Sequence, residues 1–146
     1  MCLVLRGNQA LVADAKTFKS RSNTRKVVPG DFYRVLGGSI NFNEATESAV
    51  RREIREELHS EIENLERIDV IENLFLYAGA QNHEIVFLFR GDLVNEELYE
   101  QETIHIIEDE YEFDARWISL NLLLNGDVPL YPVYDYKSLF QRLKNL

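Results

Sequence analysis

Cysteine occurs once, at Cys2. An internal disulfide and a cysteine-built zinc cluster are therefore excluded, and a reducing compartment, the cytoplasm, is the expectation. Three prolines and seven glycines in 146 residues form no linker, and no repeat or low-complexity segment divides the chain. No run approaches the roughly 18 to 20 apolar residues of a membrane helix. Arg6 interrupts the opening apolar run before it reaches the length of a signal-peptide core, so neither a leader nor a membrane anchor is expected. Positive charge is scarce: 16 Lys and Arg stand against 25 Asp and Glu, a formal charge of −9. The deficit lies between Gly91 and Ala115, which hold ten acids and no Lys or Arg. Proteins that bind nucleic acid or anionic membrane in general gain affinity from basic residues, so this balance argues against both. A local patch of Lys16, Lys19, Arg21, Arg25 and Lys26 suits a small phosphorylated molecule instead.

What is present describes one globular domain over residues 1–146. Apolar residues make up 45% and charged residues 28%, an ordinary soluble composition with enough apolar mass for a self-sufficient core. Short apolar stretches at Leu3 to Leu5 and Ala10 to Ala13 flank Gly7-Asn8 and predict strand, turn, strand. Lys16 to Lys26 reads as a loop. Val27-Val28 and Phe32 to Leu36 read as strand pieces around the turn Pro29-Gly30-Asp31. Ile68 to Tyr77 and Glu84 to Arg90 predict two long, central antiparallel strands. Thr103 to Ile107 and Arg116 to Leu120 predict strands on either side of the acidic stretch Glu108 to Asp114. Tyr136, Leu139, Phe140 and Leu143 predict a terminal helix. The order predicts an α/β fold, a mixed sheet covered by helices.

The period changes to that of a helix from Glu44 to His59, where Val50, Ile54 and Leu58 form an apolar stripe. Glu53, Glu56 and Glu57 crowd an arc of about 100° beside that stripe. Like charges so close repel, more so when partly desolvated. On composition alone this is a solvated face paired with Arg51, Arg52 and Arg55. A hard divalent cation, which prefers oxygen ligands, would turn the repulsion into attraction.

The residues upstream favour the cation. Gly38, Glu44, Arg52, Glu53, Ile54, Glu56 and Glu57 stand in the register of G-x5-E-x7-R-E-U-x-E-E-x-G-U, and the segment resembles the Nudix box. His59 stands where that pattern has glycine, Ser60 where it has an aliphatic residue, and Leu36-Gly37-Gly38 lacks a preceding proline. The departures bear on the helix end and not on the carboxylates. Arg116-Trp-Ile-Ser-Leu120 followed by Asn-Leu-Leu-Leu resembles the late strand and short helix of the same family.

The resemblance implies a Nudix-like α/β/α sandwich and hydrolysis of a pyrophosphate bond in a nucleoside diphosphate linked to another moiety. Water would attack phosphorus with Mg²⁺ or Mn²⁺ required. It implies metal ligands at Glu53, Glu56 and Glu57, with a carbonyl of Gly37 or Gly38. Arg52 would orient a catalytic glutamate, Glu53 or Glu57, and Glu44 would steady the loop. A further ligand or general base is expected from Glu108, Asp109, Glu110 or Glu112, with Glu110 the favoured choice. Arg34, Phe75, Tyr77 and His83 are candidate substrate contacts, although a surface, core or hairpin role explains each as well. The implied partner is a small nucleotide-type substrate. Oligomeric state stays open, homodimer included. The competing reading is a nucleotide-binding or regulatory module of the same fold that performs no chemistry.

Overall fold

The computed structural model describes residues 1–23 and 27–144. Strands β1 (Cys2–Leu3), β2 (Leu5–Arg6), β3 (Gln9–Ser20) and β4 (Tyr33–Val35) precede helix α1 (Thr46–Leu58). A long hairpin, β5 (Ile62–Tyr77) and β6 (Ala80–Leu93), follows, then a second hairpin, β7 (Thr103–Ile107) and β8 (Tyr111–Ser119). Helix α2 (Leu120–Asn125), strand β9 (Leu130–Tyr131) and helix α3 (Tyr136–Lys144) complete the order. One sheet runs β1-β6-β5, with β1 parallel to β6. The other runs β7-β8-β3-β4-β9, with β2 also paired to β3.

Strand β3 shows why helices cover both faces. Residues alternate sides along a strand, yet Ala10 to Ala15 are all buried, Asp14 included. Leu11, Ala13 and Ala15 join the core under α1, with Val50, Ile54 and Leu58. Ala10 and Val12 join a second core, with Leu139 and Phe140 of α3 and Leu120 and Leu123 of α2. The result is the expected α/β/α sandwich of mixed sheets with flanking helices. The three stripe residues of α1, each buried to 6% exposure or less, contribute about 1.5–3 kcal/mol apiece and clamp the helix to the sheet.

Several expectations need correction. Lys16 to Ser20 continue β3, because Lys19 and Ser20 pair with Glu112 and Tyr111 after a bulge. Arg25 and Lys26 of the basic patch lie outside the described residues. Lys16 is paired with Asp31 at 3.0 Å, and Arg21 donates to the Glu108 carbonyl at 2.9 Å. Val27 and Val28 form no strand; the Val28 amide and carbonyl both bond the Tyr77 hydroxyl. Only β6 is central in its sheet, and β5 is its edge. The hairpin is longer than predicted, its turn shortened to Ala78-Gly79, which both take positive φ. Most of the acidic stretch is strand: Tyr111 to Asp114 belong to β8, leaving 108–110 as the turn.

Candidate active site

The loop before α1 is set by two glycines with different reasons for being glycine. Gly37 has φ +136°, and a side chain there would meet the Met1 backbone 2.7 Å away. A Cβ on Gly38 would fall on the Glu53 carboxylate. The backbone can therefore run against that acid only because Gly38 has no side chain.

Arg52 ties loop to helix. Its Nε and one terminal nitrogen donate to the two oxygens of Glu44, at 2.8 and 2.9 Å, and the latter nitrogen also donates to the Ser39 carbonyl at 2.9 Å. Its other terminal nitrogen donates to Glu53 at 2.8 Å and to Glu56 at 3.3 Å. Glu44 also accepts from the Asn41 amide at 2.9 Å. The fork holds the Glu44 carboxyl down at about 2, the Arg52 bonds contributing most and the Asn41 amide next. Such paired, charge-assisted contacts fix geometry as well as charge.

One turn further the situation reverses. Glu57 is 4% exposed, and its Oε2 is buried with no hydrogen-bond partner. Oxygens from Glu53, Glu57 and Glu108 all lie within 4.8 Å of one another. Burial first, then the neighbouring carboxylate of Glu108 and that of Glu53, pushes the Glu57 carboxyl well above its ordinary range, with Arg34 opposing. Burial also raises Glu53, against the pull of Arg52. Tyr111 is raised by burial and by Glu108. A buried carboxylate with an unpaired oxygen and two more carboxylates beside it is costly unless a cation or proton joins it. The donor set is all hard oxygen, and it fits a divalent ion such as Mg²⁺.

The other predicted residues distribute unevenly. Glu56 is 59% exposed and turned toward Arg52, outside the three-carboxylate cluster. Glu110 is not in that cluster either; the third member is Glu108, which directly follows Ile107, the residue paired with Glu112 at the end of β7. Arg34, Gly37, Gly38 and Glu53 line one cavity of about 260 Å³ between α1 and the two sheets. Phe75 packs its ring near Tyr131, and Tyr77 packs against Phe32. His83 lies 3.3 Å from Glu72 on the outer side of the hairpin, away from the carboxylates. Asn73, which drew no attention in the sequence, is buried on β5 beside Glu84. Its signal was a lone amide in the inward series Ile71, Asn73, Phe75, Tyr77.

His59 answers the question its substitution raised. It ends α1 in the left-handed conformation, φ 51° and ψ 39°, and its amide bonds the Arg55 carbonyl at 3.0 Å. This is the conformation a glycine would supply. Ser60 is buried, donates to the Glu61 carbonyl at 2.8 Å and accepts from the Asn95 amide at 3.0 Å. A polar residue is thus satisfied where an aliphatic one was expected.

A family model described as NUDIX domain matches residues 1–137. Two curated proteins named NAD-capped RNA hydrolase NudC, from Pseudomonas aeruginosa strains LESB58 and PAO1, are each 35% identical to this chain over 125 residues. The matched region is 83% of this chain and 35% of each relative, so the chain spans about a third of the length of the curated relatives it matches.

Proposed function

Because this chain belongs to the NUDIX family, we propose that it is a divalent-metal-dependent pyrophosphohydrolase acting on a nucleoside diphosphate linked to another moiety. The observation that carries the reading is the buried, unpartnered Oε2 of Glu57 beside Glu53 and Glu108. Glu53, Glu57 and Glu108 would hold Mg²⁺ or Mn²⁺, and the Gly37-Gly38 backbone running against Glu53 would add a carbonyl. Glu56, held out toward solvent by Arg52, has the smaller share. When bound, the ion supplies charge neutralisation at the phosphates and polarises the attacking water.

The remaining roles belong to the protein. Arg52, anchored on Glu44 and Ser39, fixes the Glu53 carboxylate so that it can take the proton of the attacking water. The water oxygen bonds to phosphorus, the bridging P–O bond breaks, and the bridging oxygen leaves with the other phosphate. Arg34, lining the same cavity as Glu53, holds phosphate charge opposite the carboxylates. The net charge of −9 keeps the substrate class to small molecules or a short reactive end and not to nucleic acid in general.

The relatives' name makes NAD-type dinucleotides the first substrates to test and NAD-capped RNA the next. Incubation with NAD, ADP-ribose, nucleotide sugars, dinucleoside polyphosphates and nucleoside triphosphates, in Mg²⁺ and then Mn²⁺, should yield phosphomonoester products from at least one. A folded protein inert across the panel would overturn the proposal, and metal-dependent nucleotide binding without turnover would replace it with a binding module.

A further inference from the structure

Cavities with shared walls lead away from the carboxylate cluster, and two opposite charges stand where the first meets the second. The cavity at Glu53 and a smaller one of about 80 Å³ both have Arg34 and Glu84 in their walls. The smaller one shares Phe75, Leu76 and Tyr131 with a third, whose lining includes Leu74 and Val133, 65% and 64% exposed. That end of the series meets solvent. Arg34 and Glu84 border the same two spaces, yet they form no ion pair, and among the described residues Arg34 has no hydrogen-bond partner at all. Glu84 is half-buried, and its Oε1 accepts from the buried Asn73 amide nitrogen at 2.9 Å, directly across the β5–β6 pair. Its Oε2 also has no protein partner, but unlike that of Glu57 it is reached by solvent. Glu84 lies outside the Glu53, Glu57 and Glu108 cluster.

We infer that Glu84, held in place by Asn73, is a specificity-determining residue that accepts the ribose hydroxyls of the substrate and makes ribonucleotides the preferred class. In a nucleotide the sugar stands between phosphate and base. In this molecule Arg34 and Glu84 stand between the carboxylate cavity and the rings of Phe75 and Tyr131, whose centroids are 6.2 Å apart. A phosphate anion, a pair of hydroxyl donors and a flat heterocycle thus find a cation, an acceptor and aromatic walls in the same order. A carboxylate only accepts, so with one oxygen occupied by Asn73 the other is left for an O–H···O⁻ bond, shorter and stronger than a neutral one. A ligand without the hydroxyls leaves that oxygen without a donor, which is the basis on which such sites discriminate. The assignment rests on the proposed nucleotide chemistry for the nature of the ligand, but its test measures binding and not turnover.

Binding of AMP, GMP, CMP and UMP, each beside its 2′,3′-dideoxy counterpart, is measured by calorimetry in saturating Mg²⁺, where none can be hydrolysed at a pyrophosphate. At least one ribonucleotide should bind the wild type about tenfold more tightly than its dideoxy form. Glu84→Met, which keeps the length of the side chain and removes both oxygens, should erase that difference while the dideoxy nucleotide binds as before. Equal affinities within every pair, no binding of any of the eight, or a preference that survives in folded Glu84→Met would each overturn the inference. If that variant does not fold, Glu84→Gln decides, since it keeps an acceptor for Asn73 and removes the charge: the preference should shrink, and its persistence at full size would overturn the inference. A protein with the preference and no hydrolase activity would sink the catalytic reading alone. Hydrolysis without the preference would sink only the role of Glu84.

Discussion

Glu44 and Glu57 are the same residue type on either side of Arg52, and the molecule treats them in opposite ways. Glu44 accepts three hydrogen bonds, two from Arg52 and one from the Asn41 amide, and its carboxyl is held down at about 2. Glu57 keeps one oxygen unpaired among like charges, and its carboxyl is pushed well up. The cation for the first is built into the chain. The second has no such partner on its free oxygen, and a proton or the metal ion proposed above would have to meet its charge. Acids on one loop and the helix that follows it thus divide into a paired brace and an unpaired buried group, and the division follows burial and partner rather than spacing.

The strongest way to break this contrast is to neutralise the unpaired group. Glu57→Gln should lower turnover by about 10²-fold or more, equivalent to about 2.7 kcal/mol of transition-state stabilisation. The wild type should melt at a higher temperature in Mg²⁺, and Glu57→Gln should abolish that rise, since a ligand stabilises only what it binds. Unchanged turnover at saturating Mg²⁺ would remove Glu57 from the site.

A smaller effect separates Glu108 from its neighbour. Glu108→Gln should cost about tenfold or more in turnover, whereas Glu110→Gln should stay within about twofold. The reverse order would return the distal role to Glu110.

Stability against pH sharpens the comparison further, because the two shifts have opposite signs. A carboxyl raised in the folded state binds its proton more tightly there than in the unfolded chain. Glu57 should therefore make the metal-free protein lose stability as pH rises from 4.5 upward through its raised folded value. A lowered carboxyl does the opposite: the contribution of Glu44 is present above 4.5 and lost as pH falls toward about 2. Metal-free thermal melts between pH 3 and 8 should show Glu57→Gln gaining on the wild type toward the alkaline side, and Glu44→Gln differing from it most above pH 4.5. Parallel curves for all three proteins would contradict the division.

The smallest effect is expected at the end of the helix. His59→Gly should relieve the left-handed strain and stabilise by about 1 kcal/mol, raising the melting temperature by about 2–4 °C with turnover unchanged. Destabilisation would mean that the imidazole, and not the backbone conformation, matters there.

Much of the candidate site's first half was legible because it is local. Gly38, Glu44, Arg52, Glu53 and Glu57 lie on one loop and one helix, where spacing determines direction. Glu108 was legible only as one of several acids, since its place is set by pairing between β7 and β8, and register is a long-range property. Lys16 to Ser20 looked like loop because their composition is polar; pairing with β8 at the rim of the sheet overrode it. The edge position of β5 was hidden for a related reason: Leu74 and Leu76 are 65% and 70% exposed, and apolar residues on an outer face read from sequence as buried ones. Asn73 could be noticed but not interpreted, because what makes it unusual is an unfilled hydrogen bond, and that needs coordinates.

Strand β3 imposes an order on synthesis. It is buried on both faces from Ala10 to Ala15, yet its longest partner is β8, with Gln9 paired to Ser119 and Ser20 to Tyr111. At about 5–20 residues per second, roughly a hundred residues of translation separate the two strands by about 5–20 s. During that interval the β5–β6 hairpin can close by itself and β2 and β4 can pair with β3, but the edge of β3 that faces β8 stays open. Crowded nascent chains would meet there first, so the yield of soluble protein should depend on how fast β8 arrives rather than on how stable the finished fold is.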